Sequence, residues 1–309
     1  MYHPYFRGKQ FELIAIRETA EIMASAGFTP IIEPVRETLS GLQKTLEVIC
    51  AQKGKVIVIV NPTYGDHSGS GHNISQLLKD SFQDNGCVSA GILLHEGMDV
   101  SLIATLVNEH VSHNPCFIHS GFSDPLSLVD KFEGQVNKNI FLERFCGKLY
   151  RKHFIKTERV LIRDGFKKRK NSEYPPLEAF SDLHVTFTEE GMDGFGDFLI
   201  VGDDYSEGGG PAYAVAIHLT FLAPEKENVM YINHFISTSN NTPTDPAGKF
   251  GQALNKLIEK LESNNSGIIE SSAIKQFRYL HKYGHFPGLG TIKKLSMEHH
   301  IETLANFIG

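Results

Sequence analysis

The chain has 309 residues, 41% of them hydrophobic and 21% charged, with a net charge of −6, which is enough material for one large core. The mild acidity argues against a protein that coats nucleic acid, and the longest aliphatic run, Val56–Val60, is too short to span a bilayer. Cys50, Cys87, Cys116 and Cys146 form no CxxC pair and no signal peptide opens the chain, so the expectation is a cytoplasmic protein with reduced, buried thiols.

Short runs rich in Val, Ile and Leu alternate with amphipathic stretches along the chain. Tyr2–Phe6 reads as a first strand, and Leu13, Ile16, Ala20 and Met23 then step at helical spacing. Pro30–Pro34 gives a second strand, followed by the stripe Leu39, Leu42, Leu46 and Ile49. Val56–Asn61 and Ser89–His95 are strands three and four, each followed by a helical stripe; Asp99 is placed to cap the second. Pro115–His119, Asn139–Glu143 and Val160–Arg163 follow as strands five to seven, with Asp124-Pro125 opening a helix between the first two. Leu177, Phe180, Leu183 and Phe187 predict a seventh helix, and Phe198–Gly202 an eighth strand.

The alternation then breaks. Asp203–Glu207 and the glycines Gly208–Gly210 read as a loop, with a mobile lid as one reading of the glycines. Tyr213–Leu222 and Val229–Ser237 predict a β-hairpin. Asp245-Pro246 then opens a last helix striped by Phe250, Leu254, Leu257 and Leu261. Strands alternating with helices demand right-handed crossovers and a parallel sheet. An open doubly wound sheet shares that pattern, but a count of eight favours a (β/α)8, TIM-barrel-like fold. The expected organisation is a barrel over 1–262, with an insertion at 203–244, and a helical C-terminal extension over 263–309 packed on it.

Barrels of this type build their sites at the C-terminal strand ends. Each inferred strand here ends in a polar residue, and these residues define a candidate cleft. Glu33, Glu143, Asp203 and His119 are the candidate catalytic groups, since acid–base work needs carboxylates or imidazoles. Arg7, Lys9, Gln10, Asn61, Arg144, Arg163 and His218 are the candidate substrate contacts, because guanidinium groups suit carboxylates and phosphates. Glu33, His95, His119, Asp203 and Asp204 could together hold a divalent metal ion, though no HxH or HExxH spacing supports them. The run Lys167–Lys170 reads as a solvated face. No GxSxG elbow and no Walker or dinucleotide pattern is present.

The opening Tyr2-His3-Pro4-Tyr5-Phe6-Arg7-Gly8-Lys9-Gln10-Phe11-Glu12-Leu13 resembles that of a bacterial family known as beta family proteins. Ile31–Pro34, Val60–Pro62, Gly202–Tyr205, the Pro211–Phe221 segment, Asp245–Phe250 and Phe286–Gly290 are similar as well. The resemblance covers nearly the whole chain. It implies a barrel-like fold and a mobile or defence-associated gene neighbourhood, and it makes Arg7, Lys9, Gln10, Glu12, Glu33, Asp203 and Asp204 motif residues. It brings no activity with it. Arg7-Gly8 and Glu33 are also similar to barrel phosphodiesterases of the glycerophosphodiester type. Those enzymes place a histidine where Phe6 stands, and their paired acidic motif on strand two is absent here.

The expected function is that of a hydrolase or phosphodiesterase acting on an anionic or phosphorylated small molecule, or on a nucleotide. The alternative is a non-catalytic sensor or scaffold of a bacterial defence system, with a protein partner encoded nearby. Nucleic acid and membrane are not expected partners.

Overall fold

The computed structural model describes residues 1–309 apart from Asp84, Gly209, Pro211 and Asn264. The aliphatic runs form strands in chain order: β1 (Tyr5–Phe6), β2 (Ile31–Ile32), β3 (Val56–Ile59), β4 (Val88–His95), β5 (Cys116–Ser120), β6 (Lys138–Leu142) and β7 (Glu158–Ile162). There follow β8 (Leu177–Ser181), β9 (Gly194–Gly196), β10 (Ala216–Ala223) and β11 (Val229–Ile236). Strands β1 to β7 and then β9 pair side by side in parallel. At the remaining seam Tyr2 bridges Phe195, the His3 N–H donates to the Phe195 carbonyl at 2.8 Å, and the Tyr5 N–H donates to the Asp197 carbonyl at 2.9 Å. The result is a nearly closed, eight-stranded parallel barrel surrounded by helices, consistent with the (β/α)8 architecture.

Alternate residues of each strand fill the two sides of the barrel wall. Tyr5, Ile31, Ile57, Ile59, Leu93, Ile118, Ile140 and Ile162 plug the interior, with Phe198 among them. Residues of opposite parity, such as Phe6, Ile32, Val58, Phe117 and Phe141, face the helices in the largest core. Burying each such side chain contributes roughly 1.5–3 kcal/mol. The predicted helix caps form: Asp99 accepts from the Ser101 N–H at 2.6 Å, Asp124 from Ser127 at 3.2 Å and Asp245 from Gly248 at 2.9 Å.

Several expectations need correction. The eighth barrel strand is Gly194–Gly196, not Phe198–Gly202, a turn that puts Phe198 in the barrel interior and Leu199 (φ 49°) and Ile200 in the helix-side core. A Cβ on Gly196 would collide with the His3 carbonyl, so the closing strand is built of glycines with little aliphatic signal. Leu177–Ser181 is a strand rather than the start of a helix; it joins β11 and the β10–β11 hairpin in a three-stranded antiparallel sheet. The helix Pro246–Glu262 packs with that hairpin and with the helix Ser272–Tyr283 in a second core, not in the barrel's own layer. The helix Leu289–Ile308 bridges the two cores: it lies against β10 and Gln10–Glu18, giving Ile292 and Leu295 to the second core and Met297, Ile301 and Leu304 to the barrel core. The lid reading of Gly208–Gly210 falls partly on Gly209, outside the described residues.

The thiol expectation is also half overturned. Cys50, ending the helix Ser40–Ala51, and Cys87, before β4, form a disulfide with Cα atoms 5.6 Å apart. Cys116 and Cys146 are free and buried. No helix among the described residues is long and apolar enough to cross a membrane.

Candidate functional site

The site starts at the end of β1. Gly8, at φ 63°, turns the chain so tightly that a Cβ there would lie 3.0 Å from the Glu33 carbonyl oxygen. Glu12, buried in the first turn of the helix Gln10–Glu18, accepts the Arg7 N–H at 2.7 Å and fixes this turn. The Arg7 guanidinium is thereby directed over the barrel mouth. Its Nη1 pairs with Glu33, and its Nη2 donates to Asp203 Oδ1 at 2.5 Å and to the Asp203 carbonyl at 3.0 Å. The guanidinium also lies 4.8 Å from the Tyr64 ring centroid.

Glu33 is fully buried. It accepts the Tyr5 O–H at 2.8 Å and the Thr63 N–H at 3.1 Å in addition to Arg7, so its lone pairs are well used. Burial works against the Arg7 charge, but Tyr5, Glu33 and Asp203 outweigh it and raise the pKa. Tyr5 is held well above its ordinary value, first by burial and then by Glu33.

A cavity of about 350 Å³ opens beside this cluster, lined by Tyr5, Arg7, Ser120, Arg144, Asp203 and Tyr205 among others. Asp203 stands at its wall between two cations, with Arg144 Nη1 at 4.0 Å from Oδ2. Burial raises the Asp203 pKa despite Arg7 and Arg144. The side chain of Arg144 is 69% exposed, so it can turn toward an incoming anion. Asp164 holds the turn from below, accepting the Asp203 N–H at 2.8 Å and the Phe166 N–H at 2.9 Å.

No protein-family model and no curated protein matches this chain. The site therefore rests on its own geometry.

Arg7, Arg144, Glu33 and Asp203 come together as expected from strand ends. The other candidates are used differently. Glu143 takes two hydrogen bonds from Arg163, at 2.7 and 2.9 Å, and Arg163 also binds Asp182 at 2.8 Å, so these charges neutralise one another. Asn61 clamps β3 to β4, donating to the Leu93 carbonyl at 2.9 Å and accepting its N–H at 2.8 Å. His95 lines a neighbouring cavity of about 560 Å³ with His72 and Glu109. Gln10 borders a separate groove with Arg17 and Arg36. Lys9 reaches the Ser206 carbonyl at 2.5 Å.

Two histidines are corrected outright. His119 has the outward parity of its strand and sits among Phe117, Phe141 and Phe154, away from the mouth. Its Nε2–H donates to Asn139 Oδ1 at 2.8 Å and its Nδ1 accepts the Tyr150 O–H at 2.8 Å; burial lowers its pKa to about 3. His218 belongs to the hairpin sheet, wedged between Phe166 and Tyr174. It donates from Nδ1 to Nδ1 of His234 at 2.7 Å, and His234 donates on to Glu178 at 3.2 Å.

The metal set fares no better. Glu33 and Asp203 grip Arg7, His119 faces the helices, His95 lines the neighbouring cavity and Asp204 is exposed. Among the described residues no three His, Cys, Asp or Glu side chains converge to hold a metal ion. Sequence reasoning missed Tyr5, Thr63, Tyr64, Ser120 and Tyr205. Tyr5 was findable, because it shares strand parity with the inward residues of its neighbours; Tyr64 and Tyr205 sit on loops that no periodicity marks.

Proposed function

We propose that the chain is a hydrolase of the phosphodiesterase kind, acting on a small anionic or phosphorylated molecule at the barrel mouth. The observation that carries this reading is Asp203. It borders the cavity, its pKa is raised by burial, and it is fixed by Arg7 while Arg144 beside it stays exposed. Arg144 would make the first contact with the anion. Asp203 would take a proton from the attacking water as the water oxygen bonds to phosphorus; the ester P–O bond breaks, and the leaving oxygen keeps the electron pair and departs as its anion, taking up a proton from solvent or from Asp203. Neither step draws on Glu143 or His119.

The test is hydrolysis of bis(4-nitrophenyl) phosphate by the full chain, read as released 4-nitrophenolate. Asp203→Asn should lower turnover by about 100-fold or more while the variant stays folded by circular dichroism, with some loss of Tm because Arg7 loses one carboxylate partner. Equal turnover in the two proteins would remove Asp203 from the reaction.

One observation favours a non-catalytic binding component. Glu33, Glu143 and Asp203 are all held in ion pairs with arginines, which ties up the carboxylates that chemistry would use. The resemblance to beta family proteins supports a defence-linked setting for such a component. On that reading no phosphoester is turned over, a neighbouring gene product co-purifies, and Arg144→Ala weakens its capture.

A further inference from the structure

The segment Asp203–Glu207 crosses the rim of the barrel and is gripped by four cations through its main chain. Arg7 Nη2 donates to the Asp203 carbonyl at 3.0 Å, Lys168 Nζ to that of Asp204 at 2.9 Å, Lys9 Nζ to that of Ser206 at 2.5 Å and Arg36 Nη2 to that of Glu207 at 3.4 Å. These cations come from the loops after β1, β2 and β7. Arg7 has carboxylate partners, but Lys9, Lys168 and Arg36 enter no salt bridge among the described residues. A carbonyl is a neutral acceptor, and phosphate oxygens bind such donors more strongly.

The same segment also supplies a ring. Tyr205 lies on Tyr64 with centroids 4.9 Å apart and planes 27° apart, and Lys9 Nζ stands 4.8 Å from the Tyr205 centroid. One short segment thus presents an aromatic ring to an aromatic platform and a row of oxygens to a row of cations. A nucleoside phosphate presents the same two features. Asp204, Ser206 and Glu207 are exposed, so little burial holds the segment down. The crowding of positive charge is felt at Lys9: burial lowers its pKa, Lys293, Arg36 and Lys168 lower it further, and Glu12 opposes them.

We infer that the barrel mouth is a nucleoside diphosphate site, occupied here by Asp204–Glu207 in place of its ligand, with Asp203 staying anchored on Arg7 and Asp164. The base would take the place of Tyr205 on Tyr64, and the phosphates would replace the carbonyls on Lys9, Lys168 and Arg36. The segment is then a built-in competitor that the ligand must lift. This inference rests on the reading of the mouth as a site for small anions, and it names the class of anion.

The test is calorimetric titration of the full chain with ADP, with inorganic phosphate as the plain anion. Tyr205→Ala removes the competing ring and should tighten ADP binding by about tenfold, the size of one aromatic pair. Tyr205→Phe keeps the ring and should match wild type. Lys9→Ala combined with Lys168→Ala should weaken ADP by tenfold or more, by loss of about two charge-assisted contacts. Circular dichroism of each variant confirms that it is folded. ADP bound equally or less tightly by folded Tyr205→Ala would overturn the inference. If ADP does not bind but inorganic phosphate does, and Arg144→Ala abolishes it, the inference falls and the anionic mouth stands. If neither binds to wild type or to Tyr205→Ala, both fall.

Discussion

Replacing Arg7 by Met tests whether the centre of the mouth is a structural ion pair. Met keeps much of the aliphatic stem but removes the guanidinium, and with it the contact on the Tyr64 ring. Glu33 would then keep only the Tyr5 O–H and the Thr63 hydrogen bonds, with no exposure to water. Breaking a buried pair from one side costs about 3–5 kcal/mol, because a charge is left without its partner. At roughly 2 cal/mol/K of unfolding entropy per residue, a chain of 309 residues should lose ~5–8 °C in Tm. Glu33→Gln should cost less, because Arg7 would still have Asp203 as a partner. The double variant Arg7→Met/Glu33→Gln leaves no unpaired charge at that position and should recover at least ~2 kcal/mol relative to the sum of the singles. Thermal and urea unfolding by circular dichroism would measure all four corners of the cycle. Single losses below ~1 kcal/mol that simply add would refute the argument.

Other expectations follow from the same physics. Reducing Cys50–Cys87, or replacing both residues by Ala, opens a cross-link between residues 37 apart and should cost ~2–4 kcal/mol in urea unfolding with and without reductant. His119→Leu should leave turnover unchanged but destabilise the fold by ~1–3 kcal/mol, because Asn139 and Tyr150 lose their buried partner; a lost activity would return His119 to the site. Burial raises Glu298 to about 8 against the pull of Lys294, so the folded state keeps its proton where the unfolded chain gives it up. Its stabilising contribution is complete at acid pH, declines as pH rises above the ordinary glutamate value, and is gone above about 8. Glu298→Gln should therefore match wild type near the acid end of that window and exceed it above the upper end by on the order of 5 kcal/mol; parallel stability curves across pH would contradict this.

The barrel was legible because its strands are buried on both faces and read as unbroken aliphatic runs, as in Val56–Val60. The exceptions have physical causes. The strand at Gly194–Gly196 must let the His3 backbone pass close by, and glycine gives no hydrophobic signal. The edge strand at Leu177–Ser181 buries only Phe180, so its apolar residues mimic helical spacing. In the site, Arg7, Glu33 and Asp203 could be proposed from strand ends alone. Their mutual neutralisation could not, because Arg7 and Asp203 are 196 residues apart and only closure of the barrel brings them together. The disulfide was hidden for the same reason: Cys50 and Cys87 meet through tertiary packing, not through a local motif.

The barrel seam joins the beginning, middle and end of the chain. Tyr2 O–H donates to Asp197 at 2.7 Å, His300 Nε2–H donates to the other Asp197 oxygen at 3.1 Å, and His300 also reaches the Tyr2 hydroxyl at 3.1 Å. Tyr2 and His300 are 298 residues apart, so on a ribosome adding ~5–20 residues per second the first segment waits roughly 15–60 s for its last partner. Through that interval the apolar edge around Tyr2 and Phe195 lacks its final cover. The yield of folded chain should therefore respond to the rate of translation more than its final stability does.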